Sequence, residues 1–444
     1  MIDKPIRPEQ RPSVSAAPIS LRPILPQAGT TLVERFLLLA TVTILPLENH
    51  IPTVAGMSVS FLIFAVLAIY VILLCPRTLG MIWCHPIFIA AYAFIAVSTL
   101  LEFSSPLSSY ETIIRFAQMI VGAMCVAVLS RDRPGLTAGL YGHIAAALWV
   151  SVFLFFNSYG TLNDMGAGSS FNEATTIRGG VDAGFQNNLN RVAYVCIQGA
   201  IVAFALFLSD RFNLFRIPLL GVSIFCLVAA LLTMSRGAFV IGLVAFLAIL
   251  YAYGVRKYGK ALILVSILGL SIYPLVPDVV WTRMKFTTEK DEYGKTEARA
   301  FIYTTAINHL SEYFVSGVGS GNYFRKWGFE KGFVRRGAVL GAHNAFLQVT
   351  IMWGVLGLLM FLWIIWCVYR SIPLRCGRDE LSLALLSILV SGALYLLVSH
   401  IVYDKVYAFA VGMLVGARQG IWPRGIVSTS EVNTHRPGAD NNIN

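Results

Sequence analysis

The sequence predicts an all-α, polytopic membrane protein of about twelve transmembrane helices. Three observations carry that expectation. Of 444 residues, 57% are apolar and only 13% charged, against about 45–50% and about 25% in a soluble domain. The mean hydropathy is +0.70. Apolar runs of the length that crosses hydrocarbon, about 20 residues, recur along the chain, with Lys and Arg alternating in side between them. A soluble chain of this length would form two or three domains whose surfaces need far more charge. The composition therefore excludes a soluble enzyme, a disordered protein and a disulfide-stapled secreted module.

Taken in order, residues 1–30 hold Pro5, Pro8, Pro12, Pro18, Pro23 and Pro26 and no apolar core. They are expected to form a disordered cytoplasmic tail without a cleavable signal. Runs at 31–48, 56–75, 85–102, 112–130, 137–157, 189–209, 216–234, 236–254 and 260–276 give nine spans over 31–276. Residues 277–341 form a large external loop. Runs at 342–369, 380–401 and 403–417 give three more spans over 342–417, and 418–444 form a second cytoplasmic tail.

The net charge of +11 sorts by side. Cationic residues of membrane proteins collect on the cytoplasmic face. Lys4, Arg7, Arg11 and Arg22 share a side with Arg77, Arg131, Arg133, Arg211, Arg216, Arg256, Lys257, Lys260, Arg370, Arg375, Arg378, Arg418 and Arg424. The opposite loops 49–55 and 103–111 contain no Lys or Arg. Both termini are expected to be cytoplasmic. Most of the charge thus sets topology, and no nucleic-acid partner is implied.

Arg178, Arg191, Arg236 and the loop 277–341 break that pattern by placing cations on the external side. Charges at membrane depth are costly and usually functional. Arg191 and Arg236 each open a helix, at Asn190-Arg191 and Ser235-Arg236. Snorkelling to lipid headgroups accounts more comfortably for one of them than for two. Residues 158–188, rich in Gly, Asn, Ser and Thr, suit either a polyhydroxylated ligand or a solvated linker. Within 297–314, Ala298, Ile302, Ala306, Leu310 and Tyr313 recur every three or four residues, the spacing of an amphipathic helix. Such a helix is expected at the membrane interface over the bundle mouth. Gly317-Val318-Gly319-Ser320-Gly321-Asn322 lacks the flanking strand and helix of a nucleotide loop. Its glycines are expected to permit a tight turn or close backbone approach.

His343 begins the tenth span, in Ala342-His343-Asn344. Histidine is the usual general base near neutral pH, although alone at a helix start it is more often a structural donor. Arginine's planar fork suits phosphate, and a helix N-terminus adds N–H groups and a favourable dipole end. The combination fits a polyprenyl diphosphate, whose pyrophosphate lies at the depth of these helix ends. Cations there would stabilise a leaving pyrophosphate while a base deprotonates an acceptor hydroxyl. That is transfer of a glycan from a lipid carrier, for which no cofactor and no metal is expected. The external histidines His50, His309, His343 and His400 lack zinc spacing. The seven cysteines lie in spans or on the cytoplasmic side and read as packing residues.

Three motifs resemble the O-antigen ligase and polysaccharide polymerase superfamily with its Wzy-C type domain. Thr233-Met234-Ser235-Arg236-Gly237-Ala238 is similar to that family's Ser-Arg-Gly signature, and Gly317-Val318-Gly319 to Asn322-Tyr323 to its glycine turn. Ala342-His343-Asn344, Leu347 and Gly354-Val355-Leu356-Gly357 resemble its histidine motif, and Arg299 matches an arginine upstream of the turn. The resemblance covers about 178–370. It implies a GT-C-like helical glycosyltransferase of the bacterial inner membrane, with a periplasmic active site and amphipathic helices in the periplasmic loop. The donor it implies is a glycan on undecaprenyl diphosphate. The acceptor is lipid A–core for a ligase or another lipid-linked repeat for a polymerase, and catalysis is metal-independent. By position, Arg191, Arg236 and His343 become the catalytic set, with Arg178, Arg299, Asn344, Asn190 and Ser235 binding substrate. Asn187-Asn188-Leu189-Asn190 departs from the relatives' usual Asn-Pro-Asn, so Arg178 competes with Arg191 for its role. Two non-enzyme readings stand beside this one: a lipid-linked oligosaccharide transporter, with cations lining a cavity, and an anchor for a synthesis complex.

Overall fold

The computed structural model describes residues 29–44, 53–54, 57–103, 111–163, 189–208, 215–253, 298–335, 338–339, 341–372, 379–399 and 404–421, with a few positions between 259 and 281. These residues are almost entirely helical. Helix α1 (Leu32–Ile44) is followed by a minimal hairpin of β1 (Thr53–Val54) and β2 (Met57–Ser58), paired antiparallel, and then by α2 (Val59–Leu74). Pro76 opens α3 (Pro76–Trp83), and α2 and α3 meet at a 100° bend. Proline lacks the N–H that would continue the ladder. Next come α4 (Pro86–Phe103), α5 (Glu111–Leu129), α6 (Arg133–Asn163), α7 (Leu189–Phe207), α8 (Arg216–Leu232) and α9 (Arg236–Tyr253). The loop segment contributes α10 (Ala298–Asn308), α11 (Leu310–Tyr313), α12 (Asn322–Glu330) and a hairpin of β3 (Val334–Arg335) with β4 (Ala338–Val339). The chain closes with α13 (Ala345–Ser371), α14 (Glu380–Val398) and α15 (Lys405–Gly420).

Among the described residues, five helices are long and apolar enough to cross a membrane, namely α5, α6, α7, α13 and α14, or six if α2 and α3 form one bent span. Helices α4, α8 and α9 are apolar and slightly shorter. The runs at 31–48 and 403–417 yield helices of 13 and 16 residues, and most of 260–276 lies outside the described residues. The expectation of a polytopic helical membrane protein holds, and the count of twelve does not follow from these helices.

Helix α7 is the hub, buried along almost its whole length, with α6, α8, α9 and α14 packed around it. Helix α15 lies against α5 through Gly412 and Gly416, where an added Cβ would come 2.3 and 2.2 Å from the carbonyl oxygens of Ala123 and Ala127. Small residues at this spacing let helix backbones approach closely where lipid offers no hydrophobic drive.

Polar contacts sort the helix ends into two sets. At one end, Arg131 meets Glu34 at 3.1 Å and Arg133 meets Asp379 at 2.7 Å, while the Thr30 hydroxyl donates to Asp132 at 2.7 Å. These bonds join the starts of α1, α6 and α14. The starts of α7, α9, α13 and α15 and the end of α14 form a second set.

The single span expected over 342–369 is broken. Gly354 sits at φ 64°, ψ −163° inside α13, and the rings of Phe346 and Phe361 are 5.7 Å apart. Fifteen residues of straight helix rise about 22 Å, so α13 is two arms, Ala345–Trp353 and Val355–Ser371, folded back on each other at Gly354. The backbone groups freed by the break are taken up by the glycine turn. Val318 N donates to Ile351 O at 2.8 Å, Gly319 N to Met352 O at 2.9 Å and Val355 N to Phe314 O at 2.6 Å. A Cβ on Gly317 would lie 2.3 Å from Met352 O, and one on Gly354 2.2 Å from Val315 O. The expected close backbone approach at these glycines is what the structure contains.

Within the amphipathic stripe of 297–314, Leu310 is exposed, whereas Ile302, Ala306 and Tyr313 turn inward. They are buried with Phe324, Trp327, Phe333, Ala342 and Ile351 in a small second core above the bundle. Aromatic rings at the required spacing on α12 supply an internal partner for that face, which period alone does not reveal.

Candidate functional site

The site is assembled from helix starts. Helices α8 and α9 are separated by the buried turn Thr233–Ser235, in which Met234 takes the left-handed value φ 54°. This conformation is uncommon for a residue with a Cβ and marks a position held by its surroundings. Ser235 then N-caps α9, its hydroxyl accepting from Ala238 N at 3.4 Å. The same hydroxyl donates to Asn190 Oδ1 at 2.8 Å. That bond ties the start of α9, where Arg236 stands, to the start of α7, where Arg191 follows Asn190. Arg236 is half-buried.

Arg191 is fixed from a third helix. Its Nε lies 3.6 Å from Oδ2 of Asp404. Asp404 is buried, and its other oxygen N-caps α15, accepting from Val406 N at 2.9 Å and Tyr407 N at 3.3 Å. Beneath this pair, the rings of Tyr194 and Tyr395 stack at 4.0 Å, joining α7 to α14.

His343 is the second non-glycine residue at positive φ, 49°. It directly precedes Asn344, the N-cap of α13, whose Oδ1 accepts from Leu347 N at 3.0 Å. Asn344 Nδ2 donates to Leu397 O at 3.4 Å, at the end of α14. The next residue, Val398, faces Gly237 beside Arg236, 3.9 Å from where a Cβ would stand there. The end of α14 therefore adjoins both the arginine motif and the histidine motif. Asn190, Arg191, Ser235, Arg236, His343 and Asn344, scattered over more than 150 positions of sequence, converge at one end of the bundle.

Two further residues were not foreseen. One is Asp404, for which the signal was an Asp just ahead of an apolar run, a cap position. The other is Glu102 at the end of α4, fully buried, whose Oε1 accepts from Ser320 N at 2.7 Å and Trp353 Nε1 at 3.1 Å. It joins α4 to the glycine turn and to the short arm of α13. Arg299 occupies the first turn of α10, and Arg178 lies outside the described residues.

Electrostatically the site is a place for an anion. The starts of α7, α9, α13 and α15 lie at one end of the bundle, helix starts are the positive ends of their dipoles, and Arg191 and Arg236 stand at two of them. Among the described residues no group of three His, Cys, Asp or Glu is placed to hold a metal ion. A cavity of about 70 Å³ between α4, α5, α13, α14 and α15 is lined by apolar residues such as Phe88, Phe116, Phe361 and Leu396, with Tyr407 at its polar edge. No Arg or Lys lines it.

Residues 221–362 match the Wzy_C family model, described as O-antigen ligase. The match supports the O-antigen ligase and polysaccharide polymerase superfamily. The matched segment runs from α8 through the long arm of α13 and contains Ser235, Arg236, Arg299, His343, Asn344 and Gly354. Arg191 and Asp404 stand outside it, brought to the same place by the bond to Ser235 and the packing of α14 and α15. Members of this superfamily are ligase- or polymerase-type glycosyltransferases acting on lipid-linked glycans in membranes. No curated protein matches the chain.

Proposed function

We propose that the chain is an O-antigen ligase-like glycosyltransferase that moves a glycan from undecaprenyl diphosphate to a hydroxyl of lipid A–core at the periplasmic face of the inner membrane. The observation that carries this reading is the convergence of Arg191, Arg236 and His343 at four helix N-termini. Arg191 and Arg236 grip the pyrophosphate, with Arg299 and Arg178 assisting from the loops. His343 takes the proton of the acceptor hydroxyl as its oxygen attacks the anomeric carbon. The bond from that carbon to the phosphate oxygen breaks, the configuration inverts, and undecaprenyl diphosphate leaves with the electron pair. Charge developing on the leaving phosphate is met by groups already in place, the arrangement that gives electrostatic catalysis its strength. No metal or cofactor takes part in this scheme. Asn190 and Ser235 serve by holding the two arginine-bearing helix starts together, and Asn344 by fixing the backbone of His343.

The topology that goes with it has both termini cytoplasmic, spans over 31–276 and 342–417, and 277–341 as a periplasmic loop. Cations gathered at helix ends favour transfer over transport.

A deletion strain complemented with variants tests the proposal on lipopolysaccharide gels. Wild type restores the polymer, whereas Arg236→Ala and His343→Ala, at equal expression, do not. Normal polymer from either variant overturns the assignment. Accumulated long lipid-linked chains in the deletion strain mark a ligase, and a single capped repeat or lost exopolysaccharide marks a polymerase of the same superfamily.

A further inference from the structure

With one face of α10 and α11 turned inward, a second apolar stripe is exposed among the described residues. Ile307, Leu310 and Phe314 are spaced three and four residues apart, across a one-residue irregularity at His309, and Val315 follows. Ile307 is 70% exposed and Val315 74%, with Leu310 and Phe314 also exposed. Thr304, Asn308 and Ser311 are exposed beside it, while the charged groups of the segment pair with one another. His309 and Glu312, each two positions on from a stripe residue, bind each other at 2.9 Å, and Glu312 also binds Lys331 at 2.8 Å and Trp327 Nε1 at 3.1 Å.

The stripe ends against the break of α13. Phe314 O accepts from Val355 N, and Val315 O touches Gly354. From that point the long arm of α13 exposes its own apolar line, Leu356, Leu359, Trp363 and Trp366, at offsets of three, seven and ten. On a helix apolar enough to cross a membrane, such a line faces lipid. The exposed stripe of the loop is thus continuous with the lipid-facing side of a span.

We infer that Ile307, Leu310, Phe314 and Val315 form a foot that dips into the outer lipid leaflet. Its occupant is the bilayer interface, where an amphipathic helix buries its apolar side among acyl chains and headgroups. The three backbone bonds at Gly354 fix the foot rigidly to α13, and through Ile351 and Ala342 to the segment that carries His343. The foot holds the site at lipid-headgroup depth and leaves its rim open sideways to a lipid substrate. This inference rests on membrane topology and not on glycan transfer.

Single cysteines test it in sealed spheroplasts treated from outside with a membrane-impermeant maleimide. Cys84, exposed among the native thiols, lies at the opposite end of the bundle. Ile307→Cys and Val315→Cys replace exposed side chains, and Lys326→Cys, at a position 67% exposed on α12, is the aqueous reference. The expected result is rapid modification at 326 and protection at 307 and 315. A bimane placed at 307 or 315 in purified protein, reconstituted into brominated phosphatidylcholine, is quenched several-fold more than one at 326. Equal modification at all three positions overturns the inference, and protection of all three overturns it through the topology. Protection at 307 without bromine quenching, accompanied by cross-links between copies through the introduced thiol, gives the face to a second copy and overturns it as well.

Discussion

Asp404 holds two structural elements with its two carboxylate oxygens, the α15 amides with one and the Arg191 guanidinium with the other. Asparagine caps helices about as well as aspartate, so Asp404→Asn separates the two duties. It is expected to leave thermal stability nearly unchanged while raising KM for the lipid-linked donor, because Arg191 loses its orienting charge. Asp404→Ala also loses the cap, at a further cost of about 1 kcal/mol in stability. Unfolding curves set beside donor titrations check both halves, and unchanged KM in Asp404→Asn would show that Arg191 needs no partner. Glu312 yields a pH prediction. Hydrogen bonds from Lys331, then His309 and Trp327, hold its carboxyl down to about 2, against an ordinary value of 4.5. The folded value lies below the unfolded one, so its stabilisation is present above about 4.5 and is lost as pH falls toward about 2. Amide protection across α10–α12 should stay constant from neutral pH to about 4.5 and fall below it. Glu312→Gln should start lower and lose that acid dependence, and an unchanged acid profile would remove Glu312 as its cause.

At the scale of elements, the break in α13 decides where His343 stands. Gly354→Ala brings a methyl group within 2.2 Å of Val315 O at a φ of +64°, where strain alone costs on the order of 1–3 kcal/mol. A short bifunctional thiol reagent should bridge a Phe346→Cys/Phe361→Cys pair in the otherwise native chain and fail to do so when Gly354→Ala is added. A pair that never bridges would mean that the arms do not fold back. The sequence displayed the glycines on both sides of this contact, but not the fold-back. An apolar run with two glycines, Gly354 and Gly357, reads as a continuous helix, because each costs only about 1 kcal/mol there. The amides that satisfy the broken backbone come from Val318 and Gly319, more than thirty residues earlier. The amphipathic period of α10 was legible for the same local reason, and its direction was not. Which way a stripe turns depends on Phe324, Trp327 and Phe333, whose placement is a tertiary matter.

For the whole molecule, composition was enough to give a helical membrane bundle, because bilayer chemistry leaves few alternatives. The cations that violated the pattern pointed to the end where the helix starts carrying Arg191 and Arg236 are tied together. Not legible were the partners of Asp404 and Glu102, because an acid beside an apolar run, even at a cap position, carries no sign of what it will face. In the proposed chemistry, two helix-start arginines bind a lipid pyrophosphate beside a histidine base. Its most direct test is transfer from undecaprenyl-diphosphate-linked glycan by the purified chain in liposomes, with donor binding and turnover measured separately. His343→Ala should bind donor normally and lose turnover, and Arg191→Ala and Arg236→Ala should lose donor binding. Wild-type turnover in His343→Ala, or undiminished donor binding in the double arginine variant, would contradict the account.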